Sequence, residues 1–584
     1  MPDPKRAHTG SLWSFHERGQ IMKFFDMPYE RPQVEQNKKE IEKLTEALKN
    51  AQSFAQADEV MQEMDKLNDH LHTMLSLANV RHSIDTTDKF YDDEATFIDE
   101  NMPLLQESLQ NWRKALYESA FRPDFEKKYG DLLFRNIELD LKSFSPAIIP
   151  EMQRENALTT EYQKLIASAQ IPFEGGVYTL SQLTPFKMSA DDRIRRAAWV
   201  AEGEFYMQNA EKLDSLYDEL VKVRDAMGKK LGYDNFVPLG YCNMGRNSYG
   251  REEVARFREA VVKYLVPVGE KLQKEKAARL GFEYPLNYAD NALSFRDGNA
   301  TPQGSADDIL AHGKTFYHEL SPETHEFIDF MFENELFDVL SKKGKAGGGF
   351  CTSFPDYRSP FIFANFNGTQ GDVEVMTHEA GHAFAGYTAR DMKPAEYRHA
   401  TLDACEIHSM SMEFFAWPWA EGFFGKDTRK FYYSHLANAI TFIPYGCMVD
   451  HFQHIVYDHP ELTPAQRHEE WRKLTAIYMP WIKLDSIPFY GDGRAWQRQQ
   501  HIYNSPFYYI DYCLAQTVAL QFWACMQKDR ADAWQRYLSL VRLGGSRPFD
   551  QLVKAAGLSV PFEEAALQEV AAAAEQWLGQ NKPQ

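Results

Sequence analysis

His378 and His382 stand four residues apart in the run Val373-Glu374-Val375-Met376-Thr377-His378-Glu379-Ala380-Gly381-His382-Ala383-Phe384-Ala385-Gly386-Tyr387, which reads as a helix. At that spacing the two imidazoles project from one helical face, one turn apart. Two imidazoles so placed can bind a single Zn2+, with Glu379 aimed at a water on the metal. That water needs a base, and Glu379 directly follows the first histidine. The arrangement is that of a metal-dependent peptide-bond hydrolase. The five-residue pattern alone is modest evidence, because a chain with 18 histidines in 584 residues meets it by chance roughly once in twenty. Two surface histidines on a helix are the plain alternative.

A catalytic zinc takes three protein ligands and keeps one position open, so a third ligand must come from another element. Glu406 lies in Leu402-Asp403-Ala404-Cys405-Glu406-Ile407-His408-Ser409-Met410-Ser411-Met412-Glu413-Phe414-Phe415, a largely apolar helical segment. A carboxylate buried there must ligate or pair, because burying it alone is costly. Asp403 and His408 compete for the same role, and a helix in which Glu406 merely meets an arginine is the plainer reading. Glu413 shares a face with Glu406 and can steady a ligating histidine from behind, with Asp403 as a further supporting carboxylate. Further on, His501 and the tyrosines Tyr503, Tyr508, Tyr509 and Tyr512 crowd into a short stretch. Phenol or imidazole donors there could hold the oxyanion of peptide hydrolysis, and aromatic packing is the competing use.

These residues need elements to position them. Ser359 to Thr369 reads as a strand ending at Asn367-Gly368, directly ahead of the metal helix. Its edge could pair with a peptide backbone, making Phe363, Ala364, Asn365 and Gly368 candidate substrate contacts. A buried strand in a small sheet is compatible with that. The loop of Gly344, Gly347, Gly348 and Gly349 lacks the Gly-Lys-Ser/Thr ending of a phosphate-binding loop. Upstream, residues 33 to 85 are expected to be helical throughout as a long packing hairpin, followed by helices over 97–117 and 150–169. Gly175-Gly176 suggests a β-hairpin, and Ser189 to Asp192 caps one long helix ending before Gly232.

Composition bounds the rest. The length suggests two to four domain-sized units, and 44% hydrophobic residues mark a folded globular protein. A net charge of −20 argues against nucleic acid as the main partner. Six scattered cysteines without a C-x-x-C pair point to free thiols. No apolar run suits a membrane span and the first twenty residues lack a signal-peptide core, so the expected location is cytoplasmic. Residues 1–21 read as a non-native or disordered extension.

With these residues in place, the chain resembles the thimet oligopeptidase and neurolysin family of zinc peptidases, most nearly the oligoendopeptidase F branch. The likeness rests on Pro28 to Pro32, Ser359 to Gly386, Asp403 to Phe415, Phe442 to Asp450 and Gln500 to Gln516, and runs from about Met22 to near the C-terminus. It implies a mainly α, two-part helical body enclosing a deep substrate channel, with a small β-sheet beside the active-site helix. The expected division is an N-terminal helical domain over 22–200 and a zinc peptidase domain over 201–584. The likeness further implies one Zn2+ per chain on His378, His382 and Glu406, with Glu379 as base. It gives His501 and one or two of Tyr508, Tyr509 and Tyr512 to the oxyanion. The expected reaction is endopeptidase cleavage of short unstructured peptides, without nucleic-acid or membrane partners. A carboxypeptidase or dipeptidyl carboxypeptidase on the same site is one rival, and an inert peptide-binding protein with a relict metal site is the other.

Overall fold

The structure is a computed structural model that describes residues 21–485 and 487–582. The expectation for residues 1–21 falls outside the described residues except at Ile21.

Helices dominate. The N-terminal stretch forms the expected hairpin as two helices, Val34–Lys49 and Phe54–Ile84. Ser53 starts the second, its hydroxyl accepting from the Gln56 amide as the N-cap. A third helix, Lys89–Tyr117, packs across both. Ile41, Leu44, Leu48, Met64, Leu67 and Leu71 close with Trp112 and Leu116 into a hydrophobic cluster of their own. Their three-to-four-residue spacing is the stripe that a packed helix buries.

The expected long helix after Ser189 is two, Asp192–Gln208 and Ala210–Lys230. Asp191 caps the first by accepting from the Arg193 and Ile194 amides at 2.8 and 3.2 Å. Asn209 ends it, its side-chain amide donating to the Phe205 carbonyl at 2.8 Å in competition with the helical ladder. Residue 200 lies inside the first of these helices. The hairpin is present as β1 (Ile171–Phe173) and β2 (Gly176–Tyr178). Its turn residues are Glu174 and Gly175, both at positive φ, where Gly175-Gly176 was expected.

A three-stranded sheet lies beside the site: β3 (Phe337–Leu340), β4 (Phe350–Phe354) and β5 (Ser359–Phe366), in the order β3-β5-β4. Strand β5 pairs parallel with β3 and antiparallel with β4, so both its edges are taken. It is almost wholly buried, which explains its unbroken apolar run. Among the described residues no helix is long and apolar enough to cross a membrane. All six cysteines are free thiols.

Candidate metal centre and active site

The His-Glu-Ala-Gly-His run lies on the helix Gln370–Ala389, which follows β5 through the turn at Gly368. Asp372, in the first turn of that helix, fixes the entry by accepting from the Asn367 and Gly368 amides. Against it packs the helix Leu402–Phe415. The two backbones meet at Gly381, where a Cβ would sit 2.7 Å from Ser409 Cα and 2.8 Å from the His408 carbonyl oxygen. That contact sets the separation of the helices and brings Glu406 opposite the two histidines.

His378 Nε2 and His382 Nε2 lie 3.2 and 3.3 Å from the same atom, Glu406 Oε2. Charge-assisted hydrogen bonds are shorter, near 2.7–2.9 Å. Zinc–nitrogen and zinc–oxygen bonds of about 2.0–2.2 Å in a tetrahedron place neighbouring ligand atoms about 3.3 Å apart. The two separations from Glu406 therefore match edges of a zinc tetrahedron better than they match ion pairs. Glu406 is buried, and burial alone would raise its pKa. The two imidazoles outweigh that and hold the carboxylate well below its ordinary range. Its other oxygen accepts from Tyr508, and Ser409 Oγ donates to Oε2 at 2.9 Å.

Glu413 fixes the first histidine. Its Oε1 is 2.7 Å from His378 Nδ1, and its Oε2 is 2.9 Å from His435 Nε2. Trp417 Nε1 donates to His435 Nδ1 at 3.1 Å, which puts the His435 proton on the nitrogen facing Glu413. Glu413 thus accepts from both rings, and His378 keeps its proton on Nδ1 and turns the Nε2 lone pair toward the centre. Replacing Glu413 by Gln is expected to weaken metal affinity about 10–100-fold, read by competition with a graded chelator. Unchanged affinity would show that Glu413 does not orient His378.

Glu379 is 7% exposed and, among the described residues, its carboxylate makes no hydrogen bond or ion pair. Burial pushes its pKa up against the opposing pull of His378 and His382. A buried carboxylate left without a partner is costly unless it accepts from a molecule that enters the site. Gly349 gives it room: a Cβ there would lie 3.4 Å from Glu379 Oε1.

On the far side, a chain of hydrogen bonds ends at Tyr512. Tyr445 donates to Gln499 Oε1 at 3.0 Å, which fixes the amide so that Gln499 Nε2 donates to His501 Nδ1 at 2.9 Å. His501 then carries its proton on Nε2, 3.1 Å from the Tyr512 hydroxyl. Burial lowers the His501 pKa to about 4, so the ring is neutral at neutral pH. With its oxygen accepting from His501, the Tyr512 O–H can donate onward, and the Tyr508 hydroxyl is its hydrogen-bonding neighbour. Tyr508 and Tyr512 are four apart at the start of the helix Tyr509–Met526, and their rings lie 4.9 Å apart. Tyr509 faces the other way, onto Phe442 and Tyr445, and is buried. Of the three tyrosines, Tyr512 joins His501, Tyr508 supports Glu406, and Tyr509 packs. The turn before this helix puts Phe507 at φ 67°, a strained angle for a phenylalanine. Gln453 Oε1 accepts from its amide at 2.9 Å and Arg246 donates to its carbonyl, holding it there.

Three expectations are corrected. Asp403 supports no ligating histidine: it sits in the first turn of its helix, accepts from the Ala404 amide at 2.7 Å and from Thr401, and lies too far round to reach the centre. His408 is buried beside His382 and does not converge with the ligand atoms. Its Nε2 is unpartnered, and burial lowers its pKa to about 3. Strand β5 cannot take a peptide along its backbone. Phe363 and Ala364 are wholly buried, Asn365 is spent on the Ala346 and Gly348 carbonyls at 2.8 Å, and Gly368 belongs to the turn. The edge strand on that side of the sheet is β4. His435, Trp417, Ser409, Tyr445 and Gln499 were not foreseen: His435 and Tyr445 arrive on the helix Thr428–Asp458, and Ser409, Trp417 and Gln499, though close in sequence to Glu406, Glu413 and His501, carry no metal-ligand spacing of their own. A second group, His318, His325 and Asp329, is partly exposed, and Lys314 already neutralises Asp329 at 2.8 Å.

Comparison with known proteins gives the family. The model of the peptidase M3 N-terminal domain matches residues 24–144, and that of peptidase family M3 matches residues 186–572. A curated relative, the oligoendopeptidase F homolog of Borreliella burgdorferi, is 22% identical over 447 residues, covering 73% of this chain and 71% of its own. Among solved structures, PZ peptidase A with an inhibitor is 46% identical, with a TM-score of 0.94 over 96% of this chain and 99% of its own. A structure from Bacillus anthracis str. Ames, provisionally assigned as oligoendopeptidase F, is 45% identical, with a TM-score of 0.90 over 96% and 98%. With two thirds of its length matched by one family model, and with homologues that are oligoendopeptidases F, the chain belongs to peptidase family M3 and is a metallo-oligopeptidase.

Proposed function

We propose that this chain is a zinc endopeptidase that hydrolyses internal bonds of short, unstructured peptides, with one zinc held by His378, His382 and Glu406. The observation that carries the reading is Glu379, buried without a partner beside three converging donor atoms. When bound, the metal supplies a Lewis acid that polarises the scissile carbonyl and acidifies water. Glu379 takes the proton from the attacking water and returns it to the leaving amine. Tyr512, oriented by His501, donates to the oxygen that gains charge. Neither step needs a covalent intermediate. A peptide lies along the outer edge of β4, where backbone pairing tolerates varied side chains.

The test is a digest. Chelation is expected to abolish hydrolysis without unfolding a core of this size, and readdition of one equivalent of Zn2+ to restore it. Peptides blocked at both ends should still be cut internally, and intact casein should survive because a long chain does not fit an enclosed channel. Full activity in metal-free protein, or attack only on free C-termini, would overturn the reading.

A further inference from the structure

Among the described residues a second set of metal-competent side chains converges outside the catalytic set: His318, His325 and Asp329, whose donor atoms lie within 4.8 Å of one another. His318 sits in the last turn of the helix Ala306–Leu320. His325 and Asp329 stand one turn apart on the next helix, Pro322–Glu333. Ser321 alone joins the two helices. Its hydroxyl accepts from the Thr324 amide at 3.3 Å, and Thr324 Oγ1 donates to the Tyr317 carbonyl at 2.7 Å, which fixes the angle of the hairpin. The His318 and His325 rings stack at 3.9 Å with their planes 13° apart. Both bring Nε2 to the one carboxylate, 2.9 Å from Oδ1 and 3.4 Å from Oδ2. These separations bracket the roughly 3.3 Å between neighbouring ligand atoms of a tetrahedral ion.

Lys314, one turn before His318, holds Asp329 Oδ1 at 2.8 Å and is the group that an ion must displace. Both partners are 35% exposed, so water competes for both charges and the attraction is weak. The Phe332 ring centre, 5.1 Å from the Lys314 ammonium, offers the displaced cation another seat. Two imidazoles and a carboxylate are donors that zinc, copper and nickel accept, whereas magnesium and calcium prefer oxygen alone. The hairpin also holds something. Tyr317 donates to the Thr377 carbonyl at 3.4 Å, next to His378, and Tyr387 on the catalytic helix donates to Glu326 Oε1 at 2.8 Å. We propose that His318, His325 and Asp329 form a second site for a divalent transition metal of the class of Zn2+, which clips together the two helices that brace the catalytic helix. The site stands whether or not the chain cuts peptides.

The experiment titrates Zn2+ by calorimetry into protein that already carries one equivalent, and into His318→Ala, His325→Ala, Asp329→Asn and Lys314→Gln prepared in the same way. Wild type is expected to take up a second equivalent. Loss of a group that merely orients a ligand costs about 10–100-fold in metal affinity, so loss of a ligand should weaken the second binding by at least that. Lys314→Gln should tighten it, because the competing cation is gone while the three donors remain. Circular dichroism checks the fold of each variant, and Asp329→Asn, which keeps the side-chain shape, serves where an alanine does not fold. Thermal unfolding in excess Zn2+ should move upward in wild type and stay in place in His325→Ala. No second equivalent in wild type would overturn the proposal. A second equivalent bound with wild-type affinity by the three ligand variants, or an equal thermal shift in His325→Ala, would place the ion elsewhere and overturn it as well.

Discussion

Glu379→Gln is expected to lower kcat by about 10²–10⁴-fold, the range for removal of a general acid–base group, while the protein keeps its fold and its metal. The amide is nearly isosteric and cannot take a proton. The three donor atoms converge without Glu379, so their geometry does not depend on it. Metal content by elemental analysis separates this variant from Glu406→Ala, which removes the oxygen both imidazoles face and should fail to retain metal. Turnover within a few-fold of wild type in Glu379→Gln would move the base elsewhere. Metal loss in that variant would show that Glu379 holds the centre together as well as acting on substrate.

The second large effect is expected at a residue that touches neither metal nor substrate. Gly381→Ala places a methyl group 2.7 Å from Ser409 Cα, and backbone cannot rotate away as a side chain can. The helix Leu402–Phe415 must shift, at a cost of about 1–3 kcal/mol for overpacking. Because Glu406 rides on that helix, its separation from His378 and His382 opens, and metal affinity should fall with stability. Gly386→Ala is the control. It lies on the same helix with nothing within 4 Å of its added Cβ. Glycine inside a helix is less favourable than alanine by about 0.8–1.0 kcal/mol, so Gly386→Ala should be neutral or slightly stabilising. Thermal unfolding and chelator competition on both variants decide the matter. A Gly381→Ala protein with wild-type metal affinity would refute the idea that this helix contact sets the ligand distance.

The chain by itself determined the chemistry that depends on spacing within one element. His378, Glu379 and His382 share a helix, and Glu406 and Glu413 share another, so their relative directions follow from 3.6 residues per turn. The apolar run of Ser359 to Phe366 likewise announced a strand. Helix breaks were legible only in part. Ser53 starts one helix and Asn209 ends another through their own side-chain hydrogen bonds, a local effect that apolar periodicity does not register.

What joins elements was decided by the tertiary structure. Glu406 converges with the two histidines, and Asp403 and His408 do not, because the contact at Gly381 presents one face of its helix and turns the others into the core. Tyr512 and not Tyr509 meets His501 through its hydroxyl because the helix beginning at Tyr509 sets 508 and 512 on one side and 509 on another that packs. His435 and Trp417 orient His378 through Glu413, although nothing in their local sequence marks them. The strand beside the helix that keeps an open edge is β4 and not β5, because a central strand has no free backbone groups. In each case the residue type was visible in the chain, but its direction depended on which neighbouring backbone it packed against, and packing is not periodic in the sequence.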